Sequence, residues 1–188
     1  MLPFSFIFLY KLLFYFAIQS DDTALHIAVR NGNTETVKLL TEAGIDLNSQ
    51  EHFGNTALHH AAHNVNTEVT RLMIDAGIDL NKQTKSDDTA LHIAVRNGNT
   101  ETVKLLTEAG IDLNSQEHVG YTALHLAAHN GNTEVTRLMI DAGIDLNKQT
   151  KSDDTALHLA AQNGNTEVTR LMIDAGIDLN KQTKVSGR

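Results

Sequence analysis

Ten histidines in a chain of 188 residues are the side chains best placed to do chemistry near neutral pH. Two pairs, His59/His63 and His125/His129, are four residues apart. On a helix that spacing puts two imidazoles on one face, as in zinc proteases. The glutamate of the His-Glu-x-x-His pattern is absent, and no third ligand accompanies either pair. The carboxylates form two regular series, Asp46, Asp79, Asp112, Asp145 and Asp178, and Glu35, Glu68, Glu101, Glu134 and Glu167. Acid–base catalysis needs one carboxylate in surroundings unlike the rest; identical copies in identical surroundings point to structure. There is no cysteine to serve as nucleophile or thiolate ligand, no phosphate-cradling glycine loop and no Gly-x-Ser-x-Gly. We therefore expect no enzyme and no catalytic, metal or cofactor residue. His60, which has no counterpart in the other copies of its segment, comes nearest to an exception and reads as a drifted core position.

Twenty-three acidic against 15 basic residues give a net charge of −8. A chain so acidic lacks the electrostatic footprint of a phosphate-backbone binder, which argues against a nucleic-acid partner. One proline and 12 glycines exclude collagen-like or proline-rich character.

The regularity of these residues follows from a repeat. Thr-Ala-Leu-His begins at Thr23, Thr56, Thr89, Thr122 and Thr155, and Gly-Ile-Asp-Leu-Asn at Gly44, Gly77, Gly110, Gly143 and Gly176, always 33 residues apart. A second period of 66 lies on top: residues 21–52 and 87–118 are identical, while 54–86 and 120–152 differ only at Asn55/Tyr121, His60/Leu126 and Val65/Gly131. The units run over about 21–53, 54–86, 87–119, 120–152 and 153–184, with a tail at 185–188.

Each unit reads as helix, turn, helix, long turn. Thr122 is a good N-cap, and His125 three residues later can reach back to it as in a capping box. Asn130-Gly131 supplies the left-handed residue that ends a short helix. Asn132 then caps a second helix, with Glu134 in its first turn and Val135, Leu138, Met139 and Ala142 along one face. Gly143 stops it. Both helices, at roughly nine to eleven residues, are too short to be stable alone, since isolated helices need about 12–15. Stacking solves this, each unit covering the apolar face of its neighbour. The paired alanines of the first helices (Ala127 and Ala128) allow close approach.

These units resemble ankyrin repeats over residues 21 to about 184. The resemblance implies an all-α solenoid of stacked helix-turn-helix units with projecting hairpin-like loops, which binds a protein partner and has no catalytic role. It also implies structural Thr–His pairs at Thr23/His26, Thr56/His59, Thr89/His92, Thr122/His125 and Thr155/His158, and loop-bracing asparagines at Asn48, Asn81, Asn114, Asn147 and Asn180. The proline that follows threonine in the family is alanine throughout. The turn glycine kept at Gly54 and Gly120 is Asp21, Asp87 or Asp153 elsewhere. Val65 replaces the inter-helix glycine of the other copies (Gly32, Gly98, Gly131, Gly164), which costs about 1–3 kcal/mol for a β-branched residue at positive φ. We expect the second repeat to be the weakest.

The positions that vary between copies are the candidates for recognition. In the family the recognition surface uses loop tips and the exposed end of the first helix. Here that surface comprises Phe53 and Val119 at the tips, Asn55 and Tyr121 before the threonines, and His63, Arg96 and His129 at the helix ends, with Tyr121 and Phe53 the aromatic candidates for a hot spot.

Seven of the nine aromatics and the only proline fall in residues 1–20. Leu2 to Ile18 is nearly apolar but interrupted by Lys11. As a helix it spans about 25 Å, short of a bilayer core of about 30 Å. It also lacks the basic start and cleavage site of a signal peptide. Three readings stand: a membrane anchor or uncleaved signal, a cap over the first repeat, or sequence foreign to a longer ankyrin protein. The cytoplasm is the expected location, with membrane association through residues 1–20 as the alternative. The fifth repeat keeps Val168, Leu171, Met172 and Ile173, as an interior copy would, so the chain resembles either a piece of a longer array or a protein that covers that end by association, and oligomerisation through the repeat ends is a further expectation.

Overall fold

A threonine in extended backbone opens every unit. Thr23 has φ −80° and ψ 166°, and Thr56, Thr89, Thr122 and Thr155 share that conformation. The computed structural model describes residues 21–183; residues 1–20 and 184–188, and the readings attached to them, lie outside the described residues. The first helices of the five units are α1 (Ala24–Arg30), α3 (Ala57–His63), α5 (Ala90–Arg96), α7 (Ala123–Asn130) and α9 (Ala156–Gln162). The second helices are α2 (Thr34–Glu42), α4 (Thr67–Asp75), α6 (Thr100–Glu108), α8 (Thr133–Asp141) and α10 (Thr166–Asp174).

All five first helices begin with the reciprocal cap. The threonine hydroxyl accepts from the histidine backbone N–H, and the imidazole accepts from the threonine N–H. The second helices are nine residues long, but the first are only seven or eight, shorter than the sequence suggests. An asparagine and a left-handed residue turn the chain as soon as the last buried alanine or valine is placed. Helix α8 likewise stops at Asp141, so Ala142 lies beyond it and is exposed, while Val135 and Met139 are buried.

Helices of one kind pack side by side along the array, α1 on α3 on α5 on α7 on α9, and α2 on α4 on α6 on α8 on α10. Among the described residues there is no strand, and the architecture is an all-α solenoid. One core runs through it. Leu58, Leu91 and Leu124 form its first-helix layer, Val69, Val103 and Val135 its second, and the fully buried Ala61, Ala62, Ala94, Ala127 and Ala128 leave room for neighbouring backbones. The value of stacking shows in two residues with the same local sequence. Leu105, covered by the preceding repeat, is 6% exposed, while Leu39, its twin in the first repeat, is 58% exposed. Covering half a leucine stabilises by about 1 kcal/mol.

The long turns form a second stack. Each folds back on itself, with Glu51 N–H donating to Asn55 O at 3.0 Å and Gly54 N–H to Glu51 O at 2.8 Å, and equivalent bonds in the next three turns. The residue before the return is left-handed, whether glycine (Gly54, Gly120) or aspartate (Asp87 at 62°, Asp153 at 63°). At Gly120 a Cβ would also lie 2.8 Å from the Lys151 nitrogen, so glycine is required there on two counts. Three ladders join successive turns. Lys85, His118 and Lys151 N–H groups donate to Phe53, Ser86 and Val119 carbonyls. The side-chain oxygens of Asn48, Asn81, Asn114 and Asn147 accept from the backbone of Asp79, Asp112, Asp145 and Asp178 at 2.9–3.0 Å. The Gln50, Gln83, Gln116 and Gln149 amides each donate to the carbonyl of the glutamine 33 residues on.

Candidate functional site

The variable residues occupy two places in this frame, the tips of the turns and the C-terminal ends of the first helices. Phe53 projects from its tip 60% exposed and Val119 from its own 48% exposed. Asn55 and Tyr121 stand where the turn meets the first helix, and His63, Arg96 and His129 at the far ends of α3, α5 and α7. Four of these seven come together. Phe53, Asn55, His63 and Arg96 line a cavity of about 440 Å³ between the second and third units, joined by His60, Asp88 and Ile93. Val119, at the end of the third unit, and Tyr121 and His129, in the fourth, do not line it.

The charge in this cavity is paired. Arg96 donates from both terminal nitrogens to the two carboxylate oxygens of Asp88, at 3.2 and 3.0 Å, and Arg30 pairs with Asp22 through one terminal nitrogen and Oδ2. The residue before threonine and the helix-end residue change together through the first four units. Aspartate accompanies arginine in the first and third units; asparagine or tyrosine accompanies histidine in the second and fourth. That covariation was the available signal. His63 Nδ1 accepts from the Asn97 amide at 3.2 Å. The Tyr121 ring stacks on His125, with centroids 5.8 Å apart and planes inclined by 15°.

The Thr–His pairs do more than cap. Nδ1 accepts from the threonine N–H, which leaves the proton on Nε2. From there His59, His92 and His125 donate to the carbonyls of Asp88, Tyr121 and Asp154 in the following unit, at 3.1, 3.1 and 3.2 Å. Burial pushes the His59 pKa down to about 4 and lowers those of His92 and His125. These imidazoles are neutral struts between repeats, with both nitrogens engaged.

The first junction departs from this pattern. His26 Nε2 and His60 Nε2 are buried without a hydrogen-bond partner, and the two rings meet edge to face at 5.7 Å. Burial, then the charges of Arg30 and His26, push the His60 pKa down to about 4. At Glu51 burial opposes ionisation, but bonds from the Asn55 and Phe53 backbone outweigh it and the pKa falls below the ordinary carboxylate value.

Among the described residues no group of three or more histidines or carboxylates is placed to hold a metal ion. The sequence model of the family described as ankyrin repeats (three copies) matches residues 25–117 and 113–183. The chain belongs to the ankyrin-repeat family. Compared with curated proteins, its sequence gives no match. The ankyrin array is a scaffold for protein–protein interaction, and among its described residues no helix is long and apolar enough to cross a membrane. The asparagine positions that the ankyrin resemblance marked link each turn to the next. The glutamine ladder beside them escaped the sequence reading, although its 33-residue recurrence was visible.

Proposed function

We propose that the array binds its protein partner on the face built from loop tips and first-helix ends, centred on the cavity between the second and third repeats and extending to Val119, Tyr121 and His129. One observation carries this reading. The cavity draws together Phe53, Asn55 and His60, three of the four positions at which the two otherwise matching 66-residue halves differ, and it presents an exposed phenylalanine beside a fixed guanidinium. Aromatic and arginine side chains dominate binding hot spots.

The test is affinity capture on the full chain, identification of the partner by mass spectrometry, and titration of that partner against Phe53→Ala, Arg96→Ala and Tyr121→Ala. A loss of at least tenfold, about 1.4 kcal/mol, is expected for Phe53→Ala. Unchanged affinity in all three variants would move the partner to another face. A second reading, tethering of the array to a membrane by residues 1–20, rests on the composition of that segment. It predicts that removing those residues shifts the chain from the membrane to the soluble fraction, and a full chain that is already soluble ends it. Without such tethering the expected location is the cytoplasm.

A further inference from the structure

The two ends of the array carry surfaces whose second helices and turns repeat those of an internal junction. Residues 21–52 are identical to 87–118, so the face that the first repeat presents outward has the composition of the face with which the third repeat covers the second. Residues 165–184 are identical to 66–85, so the second helix and turn of the fifth repeat reproduce those of the second. Leu157, His158 and Ala161 on α9 match Leu58, His59 and Ala62 on α3.

Both faces are open among the described residues. Leu39 and Ile27 are 58% and 48% exposed at one end, Leu179 and Ile173 59% and 47% exposed at the other. We infer that copies of this chain stack head to tail, the fifth repeat of one against the first repeat of the next, and so rebuild the junction between repeats two and three. This goes beyond the partner reading above and does not depend on it.

The polar groups agree as well as the apolar ones. In the internal junction Asn81 accepts from the Asp112 N–H, Gln83 donates to the Gln116 carbonyl and His59 Nε2 donates to the Asp88 carbonyl. Between copies the same residue types at the same register are Asn180 with Asp46, Gln182 with Gln50 and His158 with Asp22. On the first-helix side the fifth repeat differs from the second, with Ser152, Asp154, Leu159 and Gln162 where the second has Phe53, Asn55, His60 and His63; at the last of these the internal junction also uses the backbone, Asn97 donating to the His63 carbonyl. The covalent link absent between copies corresponds to Ser86–Asp87, which lies in an exposed loop tip outside the packed helices, so the chain flanking each end need not pass between the faces. Such a contact joins different patches and does not close on itself, so it produces an open series of assemblies.

The experiment is sedimentation of the full chain over a range of concentrations, together with two end-face variants, Leu39→Lys and Ile173→Lys. Both residues are exposed within one copy, so each variant remains folded, which circular dichroism verifies. The parent is expected to climb in multiples of 20.6 kDa with concentration. Each variant alone should be weakened at least tenfold in association, and their mixture should form one-to-one dimers that grow no further, because the first retains the tail face and the second the head face. A parent that stays monomeric, as it would if residues 1–20 covered the first repeat, overturns the inference. So do variants that associate like the parent, or a mixture that gives no dimer.

Discussion

Residues 21–86 and 87–152 are two copies of one 66-residue sequence that differ at four positions: Phe53/Val119, Asn55/Tyr121, His60/Leu126 and Val65/Gly131. Their helices form alike, with the same caps and nearly the same bounds. Their junctions do not. In the second copy His92 donates across the junction to Tyr121 O, Leu126 fills the apolar position and Gly131 makes the left-handed turn at φ 70°. In the first copy His26 Nε2 has no partner, His60 brings a second unpaired nitrogen beside it, and Val65 is held at φ 58°. Local helix formation is set within each unit and tolerates such changes. Cohesion resides between units, and a solenoid is as strong as its nearest-neighbour contacts.

The largest expected difference tests that directly. His92→Ala removes the bond to Tyr121 O and the acceptor for the Thr89 N–H, leaving buried polar groups unpaired at about 1–3 kcal/mol each. His26→Ala loses the acceptor for the Thr23 N–H but no bond across a junction. Denaturant midpoints of the full chain should therefore fall further for His92→Ala, by the equivalent of about 1–2 kcal/mol. Equal losses would mean that His26 engages the second repeat as its twin engages the fourth, and that the first junction is as well tied as the others.

Next in size is the exchange of Val65 and Gly131. Val65→Gly relieves a β-branched residue in the left-handed region, about 1–3 kcal/mol, offset by about 0.5–1 kcal/mol of added unfolded-chain freedom. A net gain of about 1 kcal/mol is expected from chemical denaturation. Gly131→Val should cost more than this gain, because its Cβ would stand 2.8 Å from the Asn165 side chain, which itself bonds the Ala128 and His129 carbonyls. If the two exchanges give equal and opposite shifts, backbone conformation alone separates the copies at this site.

His60→Leu separates the copies by pH. The His60 pKa is about 4 in the folded chain against about 6.5 when unfolded. Above 6.5 both states are neutral. As pH falls from 6.5 towards 4 the unfolded state takes up a proton that the folded state refuses, and stability is lost. His59 behaves alike and remains in the variant. His60→Leu should therefore lose less stability between pH 7.5 and 5 than the parent does, and also be more stable at pH 7.5. An unchanged pH dependence would show that the imidazole finds water or a partner when protonated.

The 33-residue period and the threonine caps made the units, their helices and the αL turns legible in sequence. The site was legible only as a set of variable positions. Which of them meet depends on residues brought together from neighbouring units, such as Phe53 and Arg96, and no local pattern encodes that distance. The Asp88–Arg96 pair and the glutamine ladder were hidden for the same reason, since each is a relation between two regular series read one at a time. The short first helices were overestimated because apolar periodicity continues past the point where the asparagine turn cuts the hydrogen-bond ladder.

The smallest effect on stability is expected at the two remaining differences, and there the comparison turns to function. Phe53→Val and Asn55→Tyr together give the turn that leads into the second repeat the tip of the turn that leads into the fourth. Phe53 is exposed and meets the His52 ring of its own turn edge to face, at 5.2 Å. Asn55 donates through its amide to Glu51, while the backbone bonds of that carboxylate recur at Tyr121, which donates to Glu117. The introduced tyrosine has His59 in the place that His125 holds beneath Tyr121. The unfolding free energy should thus change by no more than surface substitutions usually cause, about 0.5 kcal/mol, while affinity for a captured partner changes at least tenfold. Stability held with affinity lost assigns these tips to recognition. Affinity held with stability lost would make them part of the turn scaffold, and the face that distinguishes the two copies would then have to lie elsewhere.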